Sequence, residues 1–95
     1  QGFGFGKINA GETRKTCIRL YQLSKEKLEL IKIEADRSRF NVAFSPFTSI
    51  NHKGFDICLE LKPGAPHGVM NDVITLYTNL STRPRIDAMV LALVE

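Results

Sequence analysis

This sequence has no tryptophan, and only two histidines and two cysteines. The histidines, His52 and His67, lie in predicted loops, and neither has another ligand at the local spacing of a metal site. No Gly-x-Ser-x-Gly motif or other nucleophile motif occurs. We therefore expect no metal, no cofactor and no catalytic residue. The chain is predicted not to be an enzyme, although a minor activity that pairs His67 with Asp72 stays open as an alternative.

Long apolar runs are also missing. None approaches the ~20 residues that a membrane-spanning helix needs, and no signal peptide opens the chain. We therefore expect no insertion into a membrane. The first residue is Gln1 rather than Met, which indicates a mature form or a piece excised from a longer protein. The 95 residues are predicted to form one domain, spanning 1–95.

The two cysteines, Cys17 and Cys58, are fewer than a small disulfide scaffold carries. Each alternates in phase with charged neighbours along its predicted strand, so both are expected on outward faces. The sequence cannot place them within bridging distance. A disulfide stays open as an alternative, and two free thiols are favoured.

What the chain does contain is alternation of apolar and polar side chains. It is most extended in the C-terminal hairpin, from Gly68 to Val94, where both arms alternate around a turn at 80–84. The residues before the hairpin predict five more strands, at 3–8, 13–22, 28–35, 40–44 and 55–61. Pro46 is predicted to stop the fourth of these strands.

Segment 28–35 is the one ambiguous element. Its Glu and Lys content favours a helix, whereas its Ile content favours a strand. A strand fits only with one slip of register, as at a β-bulge. We predict the strand.

Together these segments indicate about seven short strands, with turn signals every 8–12 residues or so. The predicted fold class is therefore all-β, an immunoglobulin-like β-sandwich of about seven antiparallel strands. A small barrel is the alternative. The Cys–Trp–Cys spacing of true immunoglobulin domains is absent.

The predicted interaction surface consists of Phe5, Lys15, Arg19 and Tyr21. The net charge of +3 is uneven, with ten Lys/Arg against five Asp/Glu in 1–53 and three against five in 54–95. A basic face beside an aromatic side chain suits nucleic acid, but acidic residues such as Glu12 lie close by. Nucleic acid is thus an unlikely partner, and another protein or neighbouring domains of the same chain are the expected partners. The predicted edge strand 3–8 and the C-terminal strand offer surfaces for strand addition.

An alternative function is a small-ligand or carbohydrate-binding module. It would use the loops 45–54 and 62–68, with Phe47, His52 and His67 as contacts. A separate motif, Asn79-Leu80-Ser81, fits an N-glycosylation acceptor.

A family resemblance rests on short motifs spread over nearly the whole chain. The first is Phe5-Gly6-x-Ile8-x-x-Gly11-Glu12, followed by Leu20 to Ser24 and by alternation from Leu28. Later motifs are Pro63, Pro66 and Gly68, then Thr78-Asn79, then Pro84 and Ile86. In these motifs the chain resembles an uncharacterised Ig-like domain family of bacterial cell-envelope proteins, similar to hydin-like (ASH) and major-sperm-protein-like domains. It departs from that family at Gln22, often Asn, and at Asp36–Arg39, where the family has a Cys-containing turn.

The resemblance implies a non-catalytic structural or protein-interaction module. It also implies a periplasmic or cell-envelope location.

Overall fold

The structure, a computed structural model, describes residues 2–22, 27–50 and 53–95. Seven strands and no helix lie in these ranges. The strands are β1 (Gly2–Ile8), β2 (Arg14–Gln22), β3 (Leu30–Glu34), β4 (Phe40–Thr48), β5 (Lys53–Leu61), β6 (Gly68–Thr78) and β7 (Arg85–Val94). They form two packed sheets, so the all-β prediction and the sandwich are confirmed.

The sheets divide the strands four to three. The four-stranded sheet has the order β1-β7-β6-β3, and the three-stranded sheet has the order β2-β5-β4. Strand β1 pairs with β7 in parallel, whereas the other pairs are antiparallel. The prediction of antiparallel strands throughout is thus wrong for β1. The position of β1 at a sheet edge is confirmed, but the C-terminal strand β7 lies inside its sheet and offers no edge.

The core lies between the two sheets and takes every second residue of most strands. Its fully buried members include Phe3, Phe40, Ile8, Ile57, Leu59, Leu61, Ile74, Leu76 and Val90. Phe5 belongs to this core as well, because it is 3% exposed and its ring lies 6.2 Å from that of Phe40. The prediction that Phe5 belongs to an interaction surface is therefore wrong.

Strand β3 confirms the strand prediction for the ambiguous segment. Its register with β6 shifts between Leu30 and Lys32, which is the slip that the apolar pattern requires. The bulge leaves Ile31 67% exposed, while Ile33 packs against the core.

Strand β4 runs through Pro46 and ends only at Thr48, so the predicted stop is wrong. The amide of Lys62 donates to the carbonyl of Arg39 (2.8 Å), which makes Phe40 and Leu61 a non-hydrogen-bonded pair. By alternation, Pro46 also lies in such a pair, and its nitrogen faces the open edge of the sheet. Proline is tolerated there because no ladder bond is lost.

Because β4 is longer than predicted, the connection to β5 is shorter. It comprises residues 49–52, of which 51 and 52 lie outside the described residues. Ile50 in this connection is fully exposed, and Phe47 lies on the outer face of β4.

Cys17 and Cys58 form a disulfide, so the prediction of two free thiols is wrong. Both side chains do lie on the outward face, as predicted, but the register of β2 with β5 places them directly opposite each other. Their Cα atoms are 4.0 Å apart. The register is a property of the paired strands, which is why neither strand's sequence reveals the bond.

Candidate interaction surface

The outer face of the three-stranded sheet carries three of the four predicted interaction residues. Lys15, Arg19 and Tyr21 alternate along β2 with Cys17 and are all exposed. On β5 the residues opposite them are Glu60, Asp56 and Gly54 in turn. Each predicted cation therefore faces a carboxylate of the neighbouring strand.

Arg19 is held by two partners on this face. Its Nε and Nη2 donate to the two carboxylate oxygens of Asp56, at 2.7 and 3.2 Å. Its guanidinium carbon also lies 3.6 Å from the ring centroid of Phe47. The hydrogen bond lowers the pKa of Asp56 below its ordinary value and raises that of Arg19. Both groups thus stay charged and paired at neutral pH.

These contacts weaken the case for a nucleic-acid surface. Lys15 and Arg19 are balanced by Glu60 and Asp56 across the strand pair, so the face carries no basic stripe. The neighbouring cation Arg14 binds Glu12 at 2.8 Å. Phosphate would have to compete with each of these carboxylates.

Arg14 has a second role, at the free edge of β1. Its Nη1 donates to the main-chain carbonyls of Phe5 (3.1 Å) and Lys7 (2.8 Å). Those carbonyls point away from β7, so they are the groups that an added strand would use. Arg14 thus caps the edge of β1 that the sequence offered for strand addition.

We expect Arg14→Met to expose this edge, because methionine keeps the aliphatic stem and removes the donors. The free energy of unfolding should fall by about 1 kcal/mol. The aggregation rate on mild heating should rise, measured by light scattering. Lys15→Met is the matched control, since Lys15 donates to no main-chain carbonyl among the described residues. Equal aggregation of the two variants would show that Arg14 does not protect the edge.

The alternative ligand site is not assembled in the structure. The connections that follow Thr48 and Leu61 lie at opposite ends of β5, about 27 Å apart for a nine-residue strand. Phe47 lies under Arg19 at one end and His67 lies near the start of β6 at the other. His52 is outside the described residues. Phe47 and His67 therefore cannot contact one small ligand.

The side chain of Asn79 is engaged inside the protein. Its Oδ1 accepts from the amide of Glu29 and its Nδ2 donates to the carbonyl of Lys27, both at 2.7 Å. These bonds tie the β6–β7 turn to the segment before β3. A glycan on Nδ2 would displace the second bond, so the sequon is better explained as a structural clamp.

The outer face of the four-stranded sheet is the surface that sequence reasoning missed. Five large apolar side chains on β6 and β7 point to solvent and adjoin one another, namely Val69, Val73, Met89, Leu91 and Leu93. Their exposed fractions run from 39% for Leu93 to 74% for Val69. We call these five residues the apolar face. Contiguous apolar exposure of this kind marks an interaction site more often than scattered exposure does.

Neighbours of the apolar face make it broader and flatter. On the β1 side, Gly2 pairs with Met89 and Gly4 pairs with Leu91, so no side chain rises beside them. On the β6 side, Asn71 lies opposite Leu91 in the middle row. The apolar face is therefore bordered on β1 by backbone without side chains at Gly2 and Gly4, and it has one polar group near its centre.

A signal for this face was present in β7. Residues 88–94 read A-M-V-L-A-L-V, so the residues on both faces of the strand are apolar. A strand with one face in water needs apolar residues only at alternate positions, whereas a continuous run is typical of a strand covered on both faces.

No group of three or more His, Cys, Asp or Glu side chains that could hold a metal ion occurs among the described residues. Within the same ranges, no helix has the length and apolarity needed to cross a membrane. No family model, curated protein or solved structure matches this chain.

Proposed function

We propose that this chain is a non-catalytic β-sandwich module that binds another polypeptide chain through the outer face of its four-stranded sheet. The observation that carries the proposal is the apolar face, since five exposed aliphatic and thioether side chains adjoin on two strands. Burying them gains roughly 25 cal/mol per Å² of apolar surface. Leaving them in water gives the protein nothing and risks aggregation.

The absence of catalysis in this proposal has support from the disulfide. Both cysteines are bonded to each other, so neither is a nucleophilic thiol. Carboxylates on both outer faces form ion pairs, as with Arg19–Asp56 and Arg85–Asp87, and Glu60 accepts a hydrogen bond from the side chain of Asn41. Bonded cysteines and paired carboxylates are typical of a surface that stabilises the fold and not of a catalytic site.

We also infer an immunoglobulin-like arrangement for the sandwich. If the seven strands are lettered A to G in chain order, β2, β5 and β4 correspond to the B, E and D strands of such domains, and β7, β6 and β3 to G, F and C. The first strand differs from the constant-type pattern, because it joins β7 in parallel instead of joining β2. The strand partition supports the resemblance to Ig-like domains of cell-envelope proteins.

The disulfide also supports the proposed location in the periplasm or cell envelope. Cys17 is exposed, and the bond lies on an outer face. Structural disulfides persist in oxidising compartments and are reduced in the cytosol.

Site-specific photo-crosslinking would test the proposed function. With a photoreactive amino acid at position 91, on the apolar face, we expect a covalent polypeptide adduct in cells that make the full-length protein. The same amino acid at position 43 is the matched control, since Ala43 is exposed on the outer face of the other sheet. Failure to form any adduct at 91, or equal adducts at both positions, would contradict the proposal.

A further inference from the structure

We propose that the polypeptide bound at the apolar face is a second copy of this chain, in a twofold-symmetric dimer. This inference rests on the proposed function, since it names the partner at the same surface. A twofold interface brings one patch against itself, so each of its features must be compatible with its own copy. The charge of the apolar face and the polar group at its centre are both compatible with an identical copy. The area of the face is large enough for a dimer.

The face is electrically neutral, although the chain carries a net charge of +3. Three ion pairs surround the apolar residues, Lys7–Glu95 at 3.2 Å and Lys32–Glu34 and Arg85–Asp87 at 3.3 Å. The two charges of each ion pair belong to the same chain and neutralise each other. Two copies can therefore meet at this face without like-charge repulsion. The excess positive charge lies elsewhere on the molecule, which disfavours association through other surfaces.

The one polar side chain inside the face is itself self-complementary. Asn71 is exposed, lies in the middle row opposite Leu91, and makes no side-chain hydrogen bond within the described part of the chain. An amide has both donor and acceptor groups. Across a twofold axis, the Asn71 side chains of two copies can exchange N–H···O bonds. A purely apolar partner would leave this amide unsatisfied, which costs about 1–3 kcal/mol.

The area is large enough for a specific but modest dimer. The four strands of this sheet contain 33 residues, and at about 3.4 Å per residue and about 4.8 Å per strand they give the outer face a projected area of about 540 Å² per copy. The pair would bury about 1,100 Å², above the ~1,000 Å² expected of a biological interface and at the low end of stable ones. The glycines of β1 help, because they let the facing sheet approach the backbone beside Met89 and Leu91.

The experiment is sedimentation velocity on the purified chain over about 1–500 μM, a range chosen because many interfaces at the low end of the size range are weak. We expect the 10.7 kDa monomer to convert to a species of twice that mass as concentration rises. Leu91→Asp should weaken this association at least 30-fold, because it places a charge on each copy inside the interface. Circular dichroism checks that the variant remains folded.

Ile50→Asp is the matched control, since it makes the same change at a fully exposed aliphatic residue off the face. It should leave the dimer intact. A chain that stays monomeric at the highest concentration would overturn the dimer, as would a dimer that survives Leu91→Asp. The proposed function fails separately, if the crosslinker at position 91 captures no polypeptide. An adduct there with a different chain would retain that function and reject the second copy.

Discussion

Replacing both Cys17 and Cys58 by serine is expected to lower the free energy of unfolding by about 4 kcal/mol at 25 °C. The disulfide joins residues separated by 41 positions, and the loop-closure entropy that it removes from the unfolded chain has about this value. The effect is large because a domain of this size is marginally stable, by about 5–15 kcal/mol. Urea unfolding followed by circular dichroism measures the loss.

Ala43→Ser provides the control for the disulfide prediction. Ala43 pairs with Cys58 from the other side and is also exposed, so a serine there should change the stability by less than about 0.5 kcal/mol. A thiol reductant should lower the stability of the wild-type protein as much as the double substitution does, and should not affect the double variant. A double variant as stable as the oxidised protein would show that the bridge contributes nothing.

Gly54→Ala is expected to destabilise the protein by more than about 3 kcal/mol. A Cβ on Gly54 would overlap the carbonyl oxygen of Leu20 and would lie 2.7 Å from the Cα of Tyr21. Both contacts are with backbone, so no side chain can rotate away and β2 must separate from β5. Overpacking ordinarily costs 1–3 kcal/mol, and this contact is closer than side-chain adjustment can relieve. The midpoint of thermal unfolding should fall by more than 10 °C.

Gly4→Ala is the matched control, since Gly4 is also a strand glycine but a Cβ there meets nothing within 4 Å. It should be neutral or stabilising by up to about 1 kcal/mol, because alanine reduces the entropy of the unfolded chain. Both variants are compared at a low concentration, at which the chain is monomeric. If both glycines tolerate alanine equally, the close approach of β2 to β5 at Gly54 is not as the structure describes.

The two outer faces therefore have different roles. On the three-stranded sheet, the disulfide and the Arg19–Asp56 pair tie β2 to β5, and the exposed charges are balanced within the face. On the four-stranded sheet, the outward residues between the ion pairs are apolar except for Asn71. The first face stabilises the fold, and the second is the one that we propose for association.

The sequence by itself determined that strands form and which residues of most of them point inward. Alternation is local, since each side chain of a strand points opposite to its neighbour whatever strand lies beside it. The C-terminal hairpin, the bulged strand β3 and the outward direction of Lys15, Arg19 and Tyr21 were therefore predictable. The continuous apolar run of β7 also contained the signal for a second apolar face.

Only the tertiary structure decided which strands pair and in which register. Cys17 meets Cys58 because β2 lies beside β5 in one register, and no local pattern in either strand specifies that pairing. Ile8 shares the inward face with Phe3 and Phe5, although it follows Phe5 by three residues, because β1 bulges between Gly4 and Gly6, where Gly6 adopts a φ of 68°. Pairing and register arise from contacts between residues far apart in sequence, which the period of a single strand cannot encode.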